Sequence, residues 1–315
     1  MSALPKAVQE TIAGWLSSGA IEVFIGYERG SVPLRATPVF VRRPEDVVRL
    51  IWDASCENNL VAFLSKLRGK KVGLMVKGCD SRAVIGLLQE GQVIRENLRL
   101  VGVNCPGVVD PKKVAAKLAV NVDDLEDAHL NGAQTLLMGG QCMAIGEVIY
   151  DLCRDCVHHN PALSDLQMGE AIADPAADPY EHVREIESLS TEERWARFER
   201  EVQHCNLCYA CRNACPLCYC NTCFADRTMP RWFSQTAQPE DVQFFQTIRT
   251  FHLSGRCVGC GACTRACPQG VNLRSLLDKL RLDVLELYNY EAGSDPNARP
   301  PLTTYREDDY NGFVI

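Results

Sequence analysis

A spacing of four cysteines followed by proline occurs twice in this chain and constrains its fold more than any other feature. In each copy, three cysteines stand three positions apart, a fourth follows four positions later, and proline comes directly after it. The copies are residues 205–216 and 257–268. Cysteines this dense in so short a run are typical of metal ligands. The pattern therefore predicts two related metal-binding loops in the last third of the chain.

The spacing is that of bacterial ferredoxins, where it binds [4Fe–4S] clusters. Three thiolates of one run wrap a cubane, while the fourth, restricted by the following proline, binds the other cubane. This rule gives two sets of ligands: Cys205, Cys208, Cys211 and Cys267 for one cluster, and Cys257, Cys260, Cys263 and Cys215 for the second. Structural zinc, the alternative, usually takes two separated pairs and does not need four cysteines in eleven residues. We therefore predict two [4Fe–4S] clusters.

Composition also favours metal over disulfides. The chain has 17 cysteines among 315 residues, an odd number that a closed set of disulfides would not produce. The first twenty residues lack the apolar region of a signal peptide, so we expect a cytoplasmic protein with reduced thiols. The sequence contains no run of roughly 18 apolar residues, so it predicts no membrane-spanning helix. The net charge of −7 predicts no nucleic-acid surface, which disfavours a DNA-binding redox sensor.

The first half of the chain alternates helical and strand-like patterns. The predicted helices are residues 6–17, 44–67 and 81–89, and the predicted buried strands are residues 21–25, 71–76 and 98–103. A strand, a helix and a second strand in that order are typical of an α/β layer with parallel strands. We therefore predict an α/β domain over residues 1–175.

The second half has a different character. An acidic stretch rich in proline and alanine predicts a linker over residues 176–190. Predicted helices at 191–203, 241–252 and 273–290 flank the cysteine motifs, which favours a mostly helical dicluster ferredoxin domain over residues 191–292. Residues 293–315 are polar and rich in proline, and predict a flexible or partner-bound tail.

Further cysteines in the first half have a spacing of their own. Cys79 follows a predicted strand and opens a helix, Cys105 follows the next strand, and Cys153 and Cys156 form a CxxC pair. Thiols at two adjacent strand ends, together with such a pair, are suitable ligands for a third [4Fe–4S] cluster. Cys142 is the substitute if Cys79 is not a ligand. The competing interpretation is that each is a small buried hydrophobic residue.

Three cysteines in the connection between the two motifs, Cys218, Cys220 and Cys223, have no evident assignment. They are spare thiols packed near the clusters, ligands of another centre, or replacements for a motif cysteine. Because the sequence offers no fourth thiolate beside these three, we favour spare thiols packed near the clusters, and the other two interpretations stay open. Cys56, on a predicted helix face, is expected to be a core residue.

Motifs in the first half carry a resemblance to a known family. They are the turn KGCDSRAV, the strand end GVNC and the later pair CRDCVHHNP, at residues 77–84, 102–105 and 153–161. Over residues 20–175 the chain resembles the β subunits of coenzyme F420-reducing hydrogenases and formate dehydrogenases. Its second half resembles ferredoxin domains fused to such subunits. The chain departs from many members in having Gly78 where they have proline, and in carrying the ferredoxin module at the C-terminal side.

The resemblance implies a flavoprotein that binds FAD beside a [4Fe–4S] cluster. The residues that the resemblance implies around the flavin are Lys77, Asp80, Ser81 and Arg82. They lie at a predicted helix N-terminus, which also suits a charged cofactor group. Asp80 or Ser81 is suited to the N-cap of that helix. A GxGxxG dinucleotide motif between a strand and a helix does not occur in the sequence. Nicotinamide binding by this chain therefore has no sequence support.

The function implied is that of an iron–sulfur flavoprotein subunit of a cytoplasmic oxidoreductase complex. The complex would be of the formate dehydrogenase, hydrogenase or heterodisulfide reductase type, and the partners would be its catalytic and electron-transfer subunits. The electron carrier would be F420, NAD(P)H through a partner, or ferredoxin. About twelve irons and one FAD per chain are expected. The alternative is a flavin-free adaptor that carries only iron–sulfur clusters.

Overall fold

The structure is a computed structural model that describes residues 3–125, 128–131, 135–138, 141–173, 175 and 178–303. Eight strands lie in these ranges: β1 (Val23–Arg29), β2 (Ala36–Val41), β3 (Val72–Val76), β4 (Leu98–Val103), β5 (His129–Asn131), β6 (Thr135–Met138), β7 (Gln141–Ala144) and β8 (Leu166–Met168). They form a five-stranded sheet in the order β2, β1, β3, β4, β8 and a three-stranded sheet in the order β5, β6, β7.

The larger sheet is mixed. β1 pairs antiparallel with β2, whereas β1 with β3, β3 with β4, and β4 with β8 are parallel. The three strands predicted from apolar runs are confirmed as β1, β3 and β4, and so is their parallel arrangement. The chain therefore brings the carboxyl ends of β3 and β4 to the same edge of the sheet, where Cys79 and Cys105 follow.

Helices cover the sheet and build the second half of the chain. Those described are α1 (Lys6–Ser17), α2 (Gly78–Gln89), α3 (Pro111–Leu118), α4 (Asp151–Arg154), α5 (Glu181–Glu187), α6 (Thr191–Val202), α7 (Ala210–Ala214), α8 (Pro239–Phe251), α9 (Ala262–Arg265) and α10 (Arg274–Tyr288). α2 begins three residues before the predicted start, with Lys77 at the N-cap. The N-cap prediction for Asp80 or Ser81 is wrong, because Asp80 lies in the first turn and its carboxylate accepts from the Lys77 N–H at 3.2 Å.

The long helix predicted over residues 44–67 does not form. Two 3₁₀ helices, Pro44–Arg49 and Leu60–Lys66, stand at its ends, with irregular chain between them. The Asp53 carboxylate accepts from the Ser55 N–H at 2.9 Å, and the Asn59 side chain accepts from the Val61 N–H at 3.1 Å. The Asp53 bond competes with a helical backbone between the two segments. The Asn59 bond caps the N-terminus of the second 3₁₀ helix.

The second half consists of α6–α10 joined by long irregular segments, so the predicted mostly helical architecture holds only in part. α5 forms inside the predicted linker, and Tyr180 and Val183 are buried there against Leu282 of α10. The predicted tail begins against α2, because Gln89 Nε2 donates to the Asp295 carbonyl at 3.0 Å and to that of Ala298 at 2.7 Å. Residues 304–315 of that tail lie outside the described residues.

One apolar core joins the two halves of the molecule. It runs from the strands of the larger sheet through α2 to Leu217, Phe245 and Leu277 of the second half. A smaller core packs α3 against the three-stranded sheet. In the ranges that the structure describes, no helix has both the length and the apolarity needed to cross a bilayer.

Candidate metal centres

All 17 cysteines are free thiols in the structure, and none forms a disulfide. Cys56 is fully buried in the main core, as predicted. Many of the others line cavities. In the described part of the chain, no three Cys, His, Asp or Glu side chains are arranged to hold a single metal ion. A cubane does not need such convergence, because it presents a separate iron to each thiolate.

The four cysteines proposed for the third cluster line one cavity. Cys79 lies in the first turn of α2, just after β3, and Cys105 follows the end of β4. Cys153 in α4 and Cys156 just beyond it form the facing wall. The structure thus brings together the whole set from three separate parts of the first half. We call this cavity the N-terminal centre.

Cys142 does not line the N-terminal centre. It is exposed on β7, in the three-stranded sheet that packs with α3 rather than at the ends of β3 and β4. The structure therefore completes the set with Cys79 and leaves out Cys142, which the sequence offered as its substitute.

The partly buried thiols of the N-terminal centre resist ionisation. Burial raises the pKa of the Cys105 thiol to about 12, and it raises that of Cys79 well above the ordinary value. Because the thiolate is the form that binds metal, insertion of a cluster would release protons and stabilise charges that the apolar surroundings disfavour. The donor set thus fits a thiolate-ligated cluster.

A second cavity contains the crossed set predicted for the ferredoxin module. Cys257, Cys260 and Cys263 line it together with Cys215 from the other run. Gly259 lies in this loop at φ +67°, and a Cβ built on it would stand 2.4 Å from Nη1 of Arg281. Any other residue there would strain the loop that wraps the cavity. We call this cavity the dicluster centre.

The remaining set of four is less closely assembled. Cys205 and Cys263 are electrostatic neighbours of Cys211, which α7 carries. Cys208 is exposed, and the Cys267 sulfur accepts from the Val271 N–H at 3.3 Å. Assignment of Cys205, Cys208, Cys211 and Cys267 to one cluster stays a prediction.

Two polar residues of α8 that sequence reasoning missed contact the ferredoxin cysteines. Gln246 is 2% exposed, and its Nε2 donates to Cys205 Sγ at 3.3 Å. Arg249 is 3% exposed and donates from Nη2 to the Cys211 carbonyl at 2.9 Å. The sequence could have indicated them, because this glutamine and arginine fall on the same helix face as the apolar Val242 and Phe245. Hydrogen bonds to the sulfur ligands of a cluster raise its reduction potential.

We expect Gln246→Leu to lower the potential of the cluster bound to Cys205 by roughly 40 mV, since one neutral hydrogen bond to the reduced, more negative cluster is lost. Iron content should not change. The measurement is a redox titration followed by electron paramagnetic resonance. Gln243→Leu is the matched control, because Gln243 lies on the same helix and bonds to Glu199 on the exposed surface. Equal potentials in both variants would contradict a role for the Gln246 contact.

The N-terminal centre and the dicluster centre share a wall. Leu152, Gly259 and Cys260 line both cavities. Cys79 of the first centre and Cys260 of the second are also electrostatic neighbours. The two centres are therefore adjacent, with no intervening layer of secondary structure.

The side chains expected to surround a flavin are instead used inside the fold. Lys77 and Asp80 form a buried ion pair at 3.0 Å, and Lys77 Nζ also donates to the carbonyls of Cys56 at 3.1 Å and Asn58 at 2.7 Å. Ser81 donates to the Gly78 carbonyl at 2.9 Å. These groups hold the turn that carries Cys79.

Arg82 joins the two halves of the chain. It is 2% exposed and donates to the carbonyls of Ala292 at 2.7 Å and Val258 at 3.4 Å, and it pairs with Glu291 at 3.1 Å. Since burial and these bonds already engage Lys77, Asp80, Ser81 and Arg82, the four side chains do not fit a flavin-binding surface. Their assignment from the resemblance stays an untested prediction that their contacts do not support.

Comparison with known proteins agrees with the cysteine motifs. The family model described as a 4Fe-4S dicluster domain matches residues 204–272. The F420-dependent formate dehydrogenase subunit beta of Methanocaldococcus jannaschii is 23% identical over 350 positions, which cover 91% of each chain. The F420-dependent formate dehydrogenase 1 subunit beta of Methanococcus maripaludis is 23% identical over 91% of this chain and 90% of that protein.

A solved F420-reducing [NiFe] hydrogenase complex from Methanosarcina barkeri shows a partial likeness from which no argument follows. The TM-score is 0.37 at 14% identity, over 48% of this chain and 59% of that chain. The sequence matches, by contrast, extend over both halves of the chain and confirm the resemblance inferred from its motifs. The chain is similar over nine-tenths of its length to F420-dependent formate dehydrogenase β subunits, and its residues 204–272 match a 4Fe-4S dicluster domain.

Proposed function

We propose that this chain is the iron–sulfur electron-transfer subunit of a formate dehydrogenase-type complex. It would pass electrons between a two-electron carrier near the N-terminal centre and the clusters of the dicluster domain. The observation that carries this proposal is the wall of Gly259 and Cys260 shared by the two centres. Adjacent clusters can exchange single electrons, so the wall supports a continuous path from the first half to the second. The relatives' names support F420 as the first carrier to test.

A cleft beside the N-terminal centre supports the entry of an anionic carrier or flavin. Its volume is about 550 Å³, within the usual range for small-molecule sites. Its charged lining comprises four cations and two acids: Arg35, Lys112, Arg265, Arg274, Asp110 and Asp151. Arg35 pairs with Glu57, and Arg274 pairs with Asp155 and Asp278, so Lys112 and Arg265 are the cations of the lining that can meet an anion.

Arg265 connects the cleft to the N-terminal centre. Its side chain lines both, and it is fixed by a hydrogen bond from Nη1 to the Cys260 carbonyl at 2.8 Å. At the cleft wall, Arg35 Nε is paired with Oε1 of Glu57 at 3.6 Å. Lys112 and Arg265 line the cleft and can meet the phosphates of FAD, whereas Lys77 and Arg82 are bonded inside the fold. A flavin held here would supply the exchange between paired and single electrons.

The first test is analysis of iron and flavin in anaerobically purified protein, followed by reduction with F420H2, NADH, NADPH or reduced ferredoxin. We expect bound FAD and bleaching of the clusters by one of these donors. Lys112→Glu should weaken FAD binding about tenfold, because it reverses one charge in the cleft, and iron content should not change. Lys117→Glu, on the same helix but outside the cleft lining, is the control and should bind FAD normally.

The flavin-free relay remains the second candidate, and the buried contacts of Lys77 and Arg82 favour it. Absence of FAD from the wild-type protein, with bleaching by reduced ferredoxin alone, would support that candidate. If Lys112→Glu binds FAD fully and with the affinity of the wild type, the flavin does not bind in this cleft. Clusters that no donor reduces would overturn the electron-transfer role itself.

A further inference from the structure

The three cysteines between the two ferredoxin motifs line a single cavity. Cys218, Cys220 and Cys223 lie on irregular chain after the first motif, and they face this cavity together with side chains of α8. No cysteine of the two ferredoxin sets is among its lining residues. The cavity is therefore distinct from the dicluster centre, although both are lined by Leu217 and Leu253 and the Cys215 thiol donates a hydrogen bond to Cys218.

Three arginines line the same cavity: Arg212, Arg249 and Arg256. Arg212 is paired with Asp226 at 2.8 Å, and Arg256 with Glu90 at 2.5 Å. Arg249 differs, because within the described ranges no carboxylate pairs with it. Its buried Nε and Nη1 atoms also have no hydrogen-bond partner there. A guanidinium that is 3% exposed needs an anion beside it, since an unpaired buried charge is costly.

The chemistry of the lining indicates what that anion is. Cys218 of the lining and three cysteines of the ferredoxin sets, Cys211, Cys215 and Cys263, lie near Arg249, so sulfur surrounds it. A single zinc ion would draw its thiolates together with bonds of about 2.3 Å, and no described group of three ligands is arranged in that way. A cubane accepts thiolates that are farther apart and brings sulfides that can accept the free N–H groups of Arg249.

We propose that Cys218, Cys220 and Cys223 bind a further [4Fe–4S] cluster next to Arg249. The fourth iron would take a ligand other than cysteine, and Asp226 and His252 are the other side chains of the cavity able to bind iron. The cluster would adjoin the ferredoxin cysteines across Arg249, which extends the electron path on the side away from the N-terminal centre.

The test compares the full-length wild type with Cys220→Ser/Cys223→Ser after anaerobic reconstitution. Wild type should bind about sixteen irons, four in each of four clusters, and the variant about twelve. Cys218 is left unchanged because it contacts Cys215. Cys142→Ser, which replaces an exposed cysteine outside the cavity, is the matched control and should keep the wild-type iron content.

The spectra give a second measurement. The double variant should lose one component of the reduced electron paramagnetic resonance spectrum and keep the others. Equal iron content and equal spectra in variant and wild type would overturn the proposal. If the variant fails to fold, wild type and Cys79→Ser decide together, because a wild type with about twelve irons that falls to about eight in Cys79→Ser has no further cluster.

Discussion

Cys79→Ser is expected to remove about four irons per chain and to disconnect the first half of the molecule from the dicluster domain. Cys79 lines the N-terminal centre and is the electrostatic neighbour of Cys260, across the wall shared with the dicluster centre. Loss of this cluster opens a gap in the electron path. Iron analysis and stopped-flow reduction of the ferredoxin clusters by a two-electron donor are the measurements, and we expect the rate to fall at least a hundredfold.

Cys142→Ser separates a ligand role from a general effect of removing a thiol. Cys142 is exposed on β7 and lies outside the cavity, so this variant should retain both iron and rate. The reverse result, with iron lost from Cys142→Ser and kept in Cys79→Ser, would show that the sequence-based substitute is the true ligand. The assignment of Cys79 as the fourth ligand of the N-terminal centre would then be wrong.

Arg82→Leu should be the most destabilising of the substitutions considered, by about 3 kcal/mol. It removes the hydrogen bonds to Ala292 and Val258 that join the two halves, and it deprives Glu291 of its most buried cation. The thermal unfolding midpoint of the anaerobic holoprotein should fall by about 5 °C or more.

The same variant tests the flavin role implied for Arg82. Arg42→Leu is the control, since Arg42 is an exposed arginine of the first half, and its unfolding midpoint should match wild type. A variant at position 82 that loses FAD while its midpoint stays at the wild-type value would show that Arg82 binds the flavin. That outcome would contradict the structural role.

The sequence predicts those features that depend on short stretches of chain. The apolar runs of β3 and β4 identify buried strands, and their parallel order places Cys79 and Cys105 at one edge of the sheet. The repeated motif likewise predicts that Cys215 joins the second run. Each of these inferences needs only local periodicity or a fixed ligand spacing.

Features that depend on distant partners are not predictable in this way. Arg82 resembles a cofactor ligand when only its turn is considered, because its carbonyl acceptor Ala292 lies 210 positions farther along the chain. The helix predicted over 44–67 is replaced by two 3₁₀ helices, and between them the side chains of Asp53 and Asn59 bond to nearby backbone N–H groups. The sequence gives no reason to group Cys218, Cys220 and Cys223 as ligands, because Arg249 lines their cavity only through the packing of α8.

The wall that Gly259, Cys260 and Arg265 contribute to the N-terminal centre also imposes an order on its assembly. During synthesis, the cysteines of the first half emerge well before this wall exists. The centre can be enclosed only after residue 265 has been made and the two halves have packed together. Iron and sulfide inserted earlier would stay open to solvent and oxygen. Completion of the proposed N-terminal cluster would thus be coupled to folding of the dicluster domain.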